Sequence, residues 1–423
     1  MKILILNQTF YPDVVSTAQH AADLAIGLAG QGHEVTVLAS RRGYDNPAVV
    51  FPKSEQWKGV NIARIGSTGL GKSAKWRRGV DFASFIVNSG LRILRLGRFD
   101  VIVAMTSPPL ISFLAALVLP LKAEKLVFWC MDLNPDEAIA AGWLKETSLT
   151  SRSLFRMLLY SLKRADRIVA LDRFMKKRIE SKGIPAQKVE VIPPWAHDDR
   201  VRFDPDGRSA FRARHGLSDK FVVMYSGNHS PCHSLDTVLK AAERLSHRSE
   251  LVFCFIGGGS EFRKVMDYAR ARALNNIVCL PYQPIEKLAA SLSAADLHLV
   301  VMGEPFVGIV HPCKIYNILA ANRRFLYIGP SESSITDLIS QLPSNSMAGQ
   351  ASHGDIEGTV EQIECALKAE IPVSSFVSDI ASVCSHEVLV QRMIAAVTRE
   401  TRDQSTVAGG ELQPAVSRAD EVA

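Results

Sequence analysis

The chain has 423 residues, 47% of them hydrophobic, and a mean hydropathy of +0.08, which fits a soluble α/β protein of two domains rather than a fibrous or disordered chain. Its seven scattered cysteines never form a CxxC pair, which argues against a disulfide framework or a structural zinc site and favours a reducing compartment. The net charge of +6 is uneven, because residues 1–200 carry 28 Lys and Arg against 18 Asp and Glu.

Apolar runs alternate with helix-period segments along the chain, which is typical of βα units that build parallel sheets. Near the start, residues 16–32 predict a helix with Ser16 or Thr17 as N-cap and Gly30 or Gly32 near its end. The strands predicted in the first half are KILILNQ, HEVTVLAS, FDVIVAMTS, KLVFWCMD, DRIVALD and VEVIPP.

The same alternation restarts after a connector rich in Pro and Asp, at roughly 193–215. We interpret its Asp-Pro-Asp segment at 204–206 as linker, since Asp and Pro are ordinary turn residues. The two series predict Rossmann-like domains at residues 1–200 and 201–395, followed by a polar, patternless tail at 396–423 that we expect to be disordered. The strands predicted in the second half are FVVMYSGN, LVFCFIGGG, IVCLPYQP, LHLVVM and FLYIGP.

Two stretches bear on membrane contact. The first residues form a strand-length apolar run, so we expect no signal peptide, and the longest apolar stretch, 108–128, is broken by Pro120 and Lys122. Lys75, Arg77 and Arg78 precede an amphipathic stretch. That stretch is either a solvated helix face or a surface that meets anionic lipid or an anionic acceptor.

Ligands of open parallel sheets bind beyond the carboxyl ends of the strands, where loops enter helices. The chain has no GxGxxG after its first strand and no P-loop, so a dehydrogenase or an NTPase has little support. Loops with unusual residues nevertheless follow several predicted strands, in both halves. They are NQTFYPDVVSTAQH, SGNHSPCH, GGGSE, PYQPIEK and GEPFVGIVHPCK.

Seven segments in order resemble one family over roughly residues 1–395. The chain resembles retaining glycosyltransferases of family 4, which have the two-domain GT-B fold with parallel sheets facing across a cleft. It is most similar to the bacterial group that builds O-antigen and colanic-acid-like polysaccharides. The segments are FYPDVVSTAQHAADLAIGLAGQGHEVTVLAS, DLNPDEAIAAGW, VEVIPPW, YSGN, FIGGGSE, LPYQPIEKLAASLSAADLHLV and GIVHPCKIYNILAANRRF.

The resemblance implies transfer of a sugar from a UDP- or GDP-sugar with retention of configuration, with neither a bound metal nor a cofactor. It places the donor in the second domain, where Lys314 would neutralise the diphosphate and the backbone amides of Gly308, Ile309 and Val310 would face it. Asn317 stands where the family places a glutamate on the ribose, and Ile309 replaces the other acid of its E-x7-E pattern.

Further donor contacts follow from the same resemblance. In the SGNHSPCH loop, a protonated histidine would replace the family's arginine and lysine on the diphosphate. A metal reading of His229, Cys232 and His233 is the weaker alternative. The remaining donor-side residues of the prediction are Gly227, Asn228, Gly257, Gly258, Tyr282 and Tyr316, with His229 in a catalytic role and His233 in donor binding.

On the acceptor side, Asp132 ends a buried strand, which is an expensive place for a carboxylate without a partner or a function. We predict that it orients the acceptor hydroxyl. Ser16 and Thr17 would line the cleft, and Gln19 and His20 have either a cleft role or a solvated or packed one. Arg173 would face the cleft or cap a neighbouring acid.

The resulting hypothesis is a metal-independent glycosyltransferase whose acceptor is a saccharide, expected to be linked to polyprenyl diphosphate, in cell-surface polysaccharide synthesis. We expect a cytoplasmic protein, peripheral at the inner face of the cytoplasmic membrane, with no nucleic-acid partner. Two alternatives remain: a UDP-sugar 2-epimerase with the same architecture, and a non-catalytic relative that binds nucleotide sugar. Donor sugar, linkage and oligomeric state are not predicted.

Overall fold

The computed structural model describes residues 1–44, 46–69, 75–197, 200–342, 348–369 and 384–399. These residues form two mostly parallel sheets with helical crossovers, which confirms the predicted α/β class. The first sheet has the strand order β3-β4-β2-β1-β5-β6-β7-β8, and the second has the order β11-β10-β9-β12-β13-β14. Only β3 is antiparallel to its neighbour. The strands are β1 (Lys2–Leu6), β2 (Glu34–Ser40), β3 (Ser54–Trp57), β4 (Val60–Ile65), β5 (Phe99–Ala104), β6 (Ala123–Trp129), β7 (Arg167–Ala170), β8 (Val189–Val191), β9 (Phe221–Asn228), β10 (Leu251–Gly258), β11 (Ile277–Leu280), β12 (Leu297–Val301), β13 (Phe325–Ile328) and β14 (Ala348–Ala351).

Outside the segment from β2 to β4, a helix lies between each pair of successive strands of the described residues, since parallel neighbours require a crossover. In the second sheet the six strands follow the order of a dinucleotide-binding Rossmann sheet, with β9 at the point where the order reverses. The helices are α1 (Ser16–Gly30), α2 (Lys75–Arg95), α3 (Ile111–Lys122), α4 (Asp136–Ala140), α5 (Leu149–Arg164), α6 (Arg173–Glu180), α7 (Pro205–Arg214), α8 (Asp236–Arg244), α9 (Phe262–Ala271), α10 (Leu288–Ser293), α11 (Lys314–Ala320), α12 (Ser334–Ile339), α13 (Ile356–Lys368) and α14 (His386–Thr398).

Every strand predicted from the sequence is present, but three observed strands were not predicted. They are β3, β4 and β14. β3 and β14 have four residues each, and their sequences SEQW and AGQA lack the run of β-branched residues that marks a strand. The interpretation of residues 204–206 as linker is wrong. Asp204 is the N-cap of α7, where its Oδ1 accepts the Gly207 N–H at 2.8 Å, and Pro205 is the first helical residue.

The C-terminal helix α14 packs against the first sheet rather than the second. Its buried side chains, which include Val390 and Ile394, belong to the same apolar core as β1, β5 and α1. Gly27 of α1 allows the close approach, since a side chain there would lie 2.8 Å from Ile394 Cδ1. The domain limits at 200 and 395 stay a prediction. After the second sheet, the chain comes back to pack α14 against the first sheet. Of the predicted tail, residues 396–398 belong to α14 and residues 400–423 lie outside the described part.

The buried carboxylate of Asp23, in α1, contacts both the connector and α14. Asp23 Oδ2 accepts from Trp195 Nε1 at 3.0 Å and lies 3.2 Å from His197 Nδ1 and 3.5 Å from His386 Nε2. Burial alone would raise the pKa of Asp23, but the bonds from His197 and His386 outweigh it and hold the pKa far below its ordinary value. The ionised carboxylate therefore fastens α1, the connector and α14 to one another.

Replacing Asp23 with asparagine is expected to lower the free energy of unfolding by about 2 kcal/mol at neutral pH, because the side chain keeps its shape but loses its charge. Since the folded pKa is lowered, this stabilisation is present above the ordinary carboxyl pKa of about 3.9 and is lost as the pH falls through the folded value. Urea unfolding at several pH values measures both effects. The exposed Asp267→Asn serves as the control and should change stability by less than about 0.5 kcal/mol.

Within the described ranges, no helix has both the length and the apolar character needed to cross a membrane.

Candidate functional site

Loops of the two sheets meet beyond the carboxyl ends of their strands. Leu133, which follows β6, donates its N–H to the carbonyl of Ile309 at 3.0 Å, so the loop before α11 is bonded to the first sheet's loops. Gly308 has a left-handed φ of 69°, and a side chain there would come within 2.7 Å of the Phe174 backbone. Glycine is therefore required at this crossing.

The amides predicted to face phosphate in this loop are already used. Ile309 N and Val310 N donate to the Phe306 carbonyl at 3.0 and 3.2 Å, and both side chains are buried in the core of the first sheet. The prediction is wrong for these two amides, since an N–H committed to a local turn is not available to a ligand. Gly308 beside them has a steric role at the contact between the loops.

Lys314, the first residue of α11, holds its amine inside the protein. Its Nζ lies 3.3 Å from the centroid of the Tyr225 ring and has no hydrogen-bond partner among the described residues. Burial lowers the pKa of Lys314 well below its ordinary value. Tyr225 is fixed in turn, because its hydroxyl donates to the Asn228 carbonyl at 2.8 Å. A buried amine without a partner is costly, which indicates a site prepared for an anion.

Glycines in the last residues of β9 and β10 let these two strand ends approach closely. A side chain at Gly257 would collide with the Gly227 carbonyl, and Gly257 has a φ of 135°. A side chain at Gly258 would lie 3.1 Å from the ring of the half-exposed Tyr282. Position 227 also lies next to Lys314, within 3.4 Å of its Nζ. These residues thus form one edge beside the amine, while their contact with a nucleotide stays a prediction.

The two histidines of the loop after β9 are neutral in this arrangement. His229 Nδ1 donates to the Gly227 carbonyl at 3.0 Å, and burial with the nearby Lys314 charge lowers its pKa to about 4. His233 Nδ1 donates to the Val301 carbonyl at 2.7 Å, and the same two causes lower its pKa to about 3. The protonation of these histidines beside a phosphate stays a prediction. In the described ranges, no group of three His, Cys, Asp or Glu is placed to hold a metal ion.

A buried chain of hydrogen bonds joins the two sheets next to Lys314. Asp172, which caps α6, has its Oδ2 2.8 Å from His311 Nδ1, and His311 Nε2 lies 2.8 Å from the Tyr316 hydroxyl. With its hydrogen on Nδ1, the His311 ring donates to the carboxylate, and its Nε2 accepts a hydrogen bond from the Tyr316 hydroxyl. Burial alone would raise the pKa of Asp172, but the His311 bond outweighs it, so the pKa is lowered. Burial raises the pKa of Tyr316 well above its ordinary value.

Asn317 contacts the chain's own connector. Its Oδ1 accepts the His197 N–H at 3.0 Å, so the amide oxygen predicted to bond a ribose hydroxyl is occupied. The Asn317 amide thus stabilises the segment that links the two sheets, instead of the ribose contact that the resemblance implied. With Ile309 in the core, both positions of the family's acid pair have structural roles here.

The start of α1 faces the start of α11. The helix begins at Ser16 without a side-chain cap, since Val15 occupies the N-cap position. Burial raises the pKa of Cys313 to about 12, and a hydrogen bond from Ser16 opposes that rise, which places the two side chains in contact. The Thr17 and Thr9 hydroxyls lie 3.0 Å apart. An uncapped helix start leaves amide donors directed toward this contact.

Gln19 and His20 both contact their own chain rather than the cleft. The half-buried Gln19 donates from Nε2 to the Val14 carbonyl at 2.6 Å. His20 is buried with its ring 4.8 Å from that of Trp195, and burial with the charge of His197 lowers its pKa to about 4. We therefore correct the placement of His20 on the acceptor side.

Asp132 lies where the first sheet meets the second-sheet loops. Burial, and next the charge of Glu137, raise its pKa well above the ordinary carboxyl range. Glu137 Oε1 accepts from Cys232 Sγ at 3.9 Å, across the boundary between the sheets. The Asp132 charge also contributes to the raised pKa values of Cys232 and Cys313. The predicted carboxylate therefore lies in an acidic pair close to the loop that carries Lys314.

Arg173 does not face a ligand. Its guanidinium binds Asp337 of α12 with two bonds, Nε to Oδ2 at 2.5 Å and Nη2 to Oδ1 at 2.9 Å, and the pair is solvent-exposed. This pair spans the two sheets, which corrects the acceptor-side prediction in favour of the alternative, a partner for a neighbouring acid.

Sequence reasoning missed four residues of this region: Asp172, His311, Tyr225 and Glu137. Asp172 and Glu137 follow predicted strands, so their position was a usable signal. Tyr225 lies within a strand and His311 in a loop, and their partners are distant in sequence, so no local pattern marks them.

Comparison with known proteins shows which family the first half of the chain resembles. Residues 17–200 match the sequence model of Glycosyltransferase Family 4. The chain is 24% identical to WcaI of Escherichia coli K12, a glycosyl transferase named for colanic acid biosynthesis, over 81% of this chain and 87% of the relative. It is 25% identical to the glycosyltransferase WbjE of Pseudomonas aeruginosa, over 73% of this chain and 75% of the relative. Over residues 17–200 the chain is therefore similar to glycosyltransferase family 4.

Solved structures confirm the GT-B fold of the chain. Sucrose-phosphate synthase from Thermosynechococcus elongatus superposes with a TM-score of 0.75 at 13% identity, covering 93% of this chain and 97% of that one. Anabaena HepE, solved with UDP and glucose, superposes with a TM-score of 0.69 at 14% identity, covering 93% of this chain and 98% of that one. At this identity, the likeness concerns the fold.

Proposed function

We propose that this protein is a glycosyltransferase of the family 4 type. It would transfer a sugar from a nucleoside-diphosphate sugar to a saccharide acceptor, with retention of configuration and without a protein-bound metal, in cell-surface polysaccharide synthesis. The observation that carries the proposal is the buried Lys314 amine, which has no hydrogen-bond partner among the described residues and lies where the loops of both sheets meet. The relatives named for polysaccharide synthesis and the UDP-bound HepE support the reaction class and a UDP-sugar donor.

Lys314 would contribute charge at the leaving diphosphate. As the bond between the anomeric carbon and the phosphate oxygen breaks, negative charge accumulates on that oxygen, and a fixed cation lowers the barrier most at this point. The uncapped start of α1, a helix of 15 residues, supplies amide donors from the facing side. The acceptor oxygen bonds the anomeric carbon on the same face, and its proton passes to the departing phosphate.

Donor contacts of the proposal lie on the second sheet. The edge formed by Gly227, Gly257 and Gly258, with the ring of Tyr282 over it, would meet the nucleotide, and the exposed Asn228 adjoins it. The acceptor would approach from the first sheet past Ser16, Thr17 and Asp132. We propose a lipid-linked saccharide as the acceptor, at the inner face of the cytoplasmic membrane, because the basic half of the chain is the acceptor half.

Asp132→Asn is expected to lower kcat by about 10- to 100-fold, because an amide replaces the carboxylate that would accept the acceptor's hydroxyl proton in a hydrogen bond. Since burial raises the pKa of Asp132, the wild-type rate should rise as the pH increases from about 6 to 9, when the carboxyl ionises. The variant should show a flat profile over this range. A variant with the wild-type pH profile would contradict the role, and Asp219→Asn, at a surface turn, is the control.

The decisive assay incubates the chain with radiolabelled UDP- and GDP-sugars and lipid extracts from a bacterium that makes surface polysaccharide. Transfer of label to lipid, resistant to EDTA, with an anomeric configuration by NMR that equals the donor's, is expected. Inversion would contradict retention. Donor binding without transfer to any extract would support a non-catalytic relative, and conversion of the free UDP-sugar to its 2-epimer would support the epimerase.

A further inference from the structure

Helices α2 and α3 expose an apolar ridge that no described part of the chain covers. Val87, Leu91 and Leu94 lie on one face of α2 at helical spacing, and Leu117 and Leu121 share a face of α3. These residues are 50% to 65% exposed, so two neighbouring helices together present five large apolar side chains to solvent. We define these five residues as the apolar ridge.

The two helices run side by side, which brings the ridge residues to the same level. Gly90 of α2 packs on Leu114 of α3, and a side chain at Gly90 would lie 3.2 Å from Leu114 Cδ1. Further along, Lys122 Nζ donates to the Leu94 and Leu96 carbonyls at 2.9 and 2.7 Å. These contacts advance along both helices in the same direction, so the two helices are parallel. Their exposed leucines therefore lie side by side.

Positive charge borders the ridge. Residues 75–98 contain six Lys and Arg but one carboxylate, Asp81, which accepts the Thr68 hydroxyl at 2.5 Å. Arg92, Arg95 and Arg98 are exposed and form no ion pair within the described ranges. An apolar stripe with arginines beside it matches the interface of an anionic bilayer, where leucines enter the acyl boundary and guanidinium groups meet phosphate.

The same helix also reaches a pocket on the acceptor side. Asp81 and Phe82 of α2 line a pocket together with Gln8 and Ser40. Gln8 lies in the loop after β1, and Ser40 is the last residue of β2. Phe82 and Leu91 are separated by roughly 14 Å along the helix axis, at 1.5 Å per residue. A membrane in contact with the ridge would therefore lie within reach of a lipid-linked saccharide whose sugar occupies the pocket.

We propose that the apolar ridge and its arginines are the surface by which the chain binds an anionic lipid bilayer. The ridge acts by insertion of leucine side chains, and the arginines by attraction to lipid phosphate. The inference deepens the proposed function, and only its link to the acceptor rests on that function.

The test is flotation of the full chain with vesicles of phosphatidylcholine alone or with about one third phosphatidylglycerol, at low and high salt. Wild type should float with the anionic vesicles, and Leu91→Glu/Leu94→Glu should reduce the bound fraction at least tenfold. Both sites are exposed, so the variant should keep the wild-type circular dichroism and melting temperature. Met266→Glu, an exposed apolar residue of α9 in the second sheet's layer, is the matched control and should float like wild type.

Two readouts separate this proposal from the proposed function. Hydrolysis of soluble nucleotide sugar measures the donor site and should be unchanged in the ridge variant, whereas vesicle binding requires no turnover. Equal flotation of wild type and variant would overturn the proposal. So would a wild type that does not float but forms a dimer that the variant loses, since the ridge would then be a protein interface.

Discussion

Replacing Lys314 with methionine is expected to reduce glycosyl transfer by about 100-fold or more while making the folded chain more stable. Removing a fixed donor of charge at the leaving group costs roughly this factor in kcat. The stability gain, about 1–2 kcal/mol, arises because methionine fills the same space without burying an amine that has no hydrogen-bond partner among the described residues. Initial rates with a UDP-sugar and urea unfolding of the same preparation measure the two effects.

The pH dependence of stability follows from the lowered pKa of Lys314. Burial lowers the pKa of Lys314, so the unfolded chain binds that proton more tightly than the folded chain does. Wild-type stability should then rise with pH until the unfolded lysine deprotonates near its ordinary value of about 10.4. The advantage of the methionine variant is therefore complete below the folded pKa of Lys314 and shrinks as the pH rises toward the unfolded value.

Lys287→Met is the matched control, because this lysine is exposed at a short turn and should change neither activity nor stability. UDP should raise the melting temperature of the wild type and of this control but not of the Lys314 variant, as expected for a ligand that binds through the buried amine. Full activity in the Lys314 variant would remove the basis of the proposed donor site.

Replacing His311 with phenylalanine is expected to lower the free energy of unfolding by about 3 kcal/mol. The change leaves the Asp172 carboxylate buried without its main partner and the Tyr316 hydroxyl without an acceptor, and both losses are costly in a dry site. The kcat should also fall, by about tenfold or more, because these bonds hold the loop before Lys314 against the first sheet. Urea unfolding and initial rates measure the two effects.

Two further variants separate the contributions to the stability loss expected for His311→Phe. Tyr316→Phe removes only the last hydroxyl of the chain of bonds, so it should cost about 1 kcal/mol. His247→Phe changes an exposed histidine whose ring bonds one nearby carbonyl, and it should leave stability within about 0.5 kcal/mol of wild type. If His311→Phe were as stable as this control, the buried bonds between the sheets would not contribute to folding.

The departures from the family's acid pair have a structural explanation in this chain. Ile309 is buried in the core of the first sheet, and the Asn317 amide oxygen binds the connector at His197. Both positions strengthen contacts between the two sheets. A change back to glutamate at position 309 would bury an unpaired charge among apolar side chains, which proteins rarely tolerate.

The fold was predictable because its signal is local and repeated. Runs such as KILIL and LVFCFI report strands buried on both faces, and the helix-period segments between them require parallel pairing, so the doubly wound architecture follows from periodicity alone. β14 was missed because AGQA has no such signal, and it forms by pairing with β13. In the same way, α7 depends on the capping of Asp204 within a segment whose composition suggests a turn.

The sequence by itself determined the two sheets, the resemblance to family 4 and the position of Lys314 at the start of a helix after a strand. Only the tertiary structure decided which side chains serve that lysine: Tyr225 beneath it, the chain of bonds from Asp172 beside it, and the Asp132–Glu137 pair nearby. It also decided that His229 and His233 are neutral. The reason is physical, since the pKa of a group and the availability of an amide depend on burial and on partners that are distant in sequence.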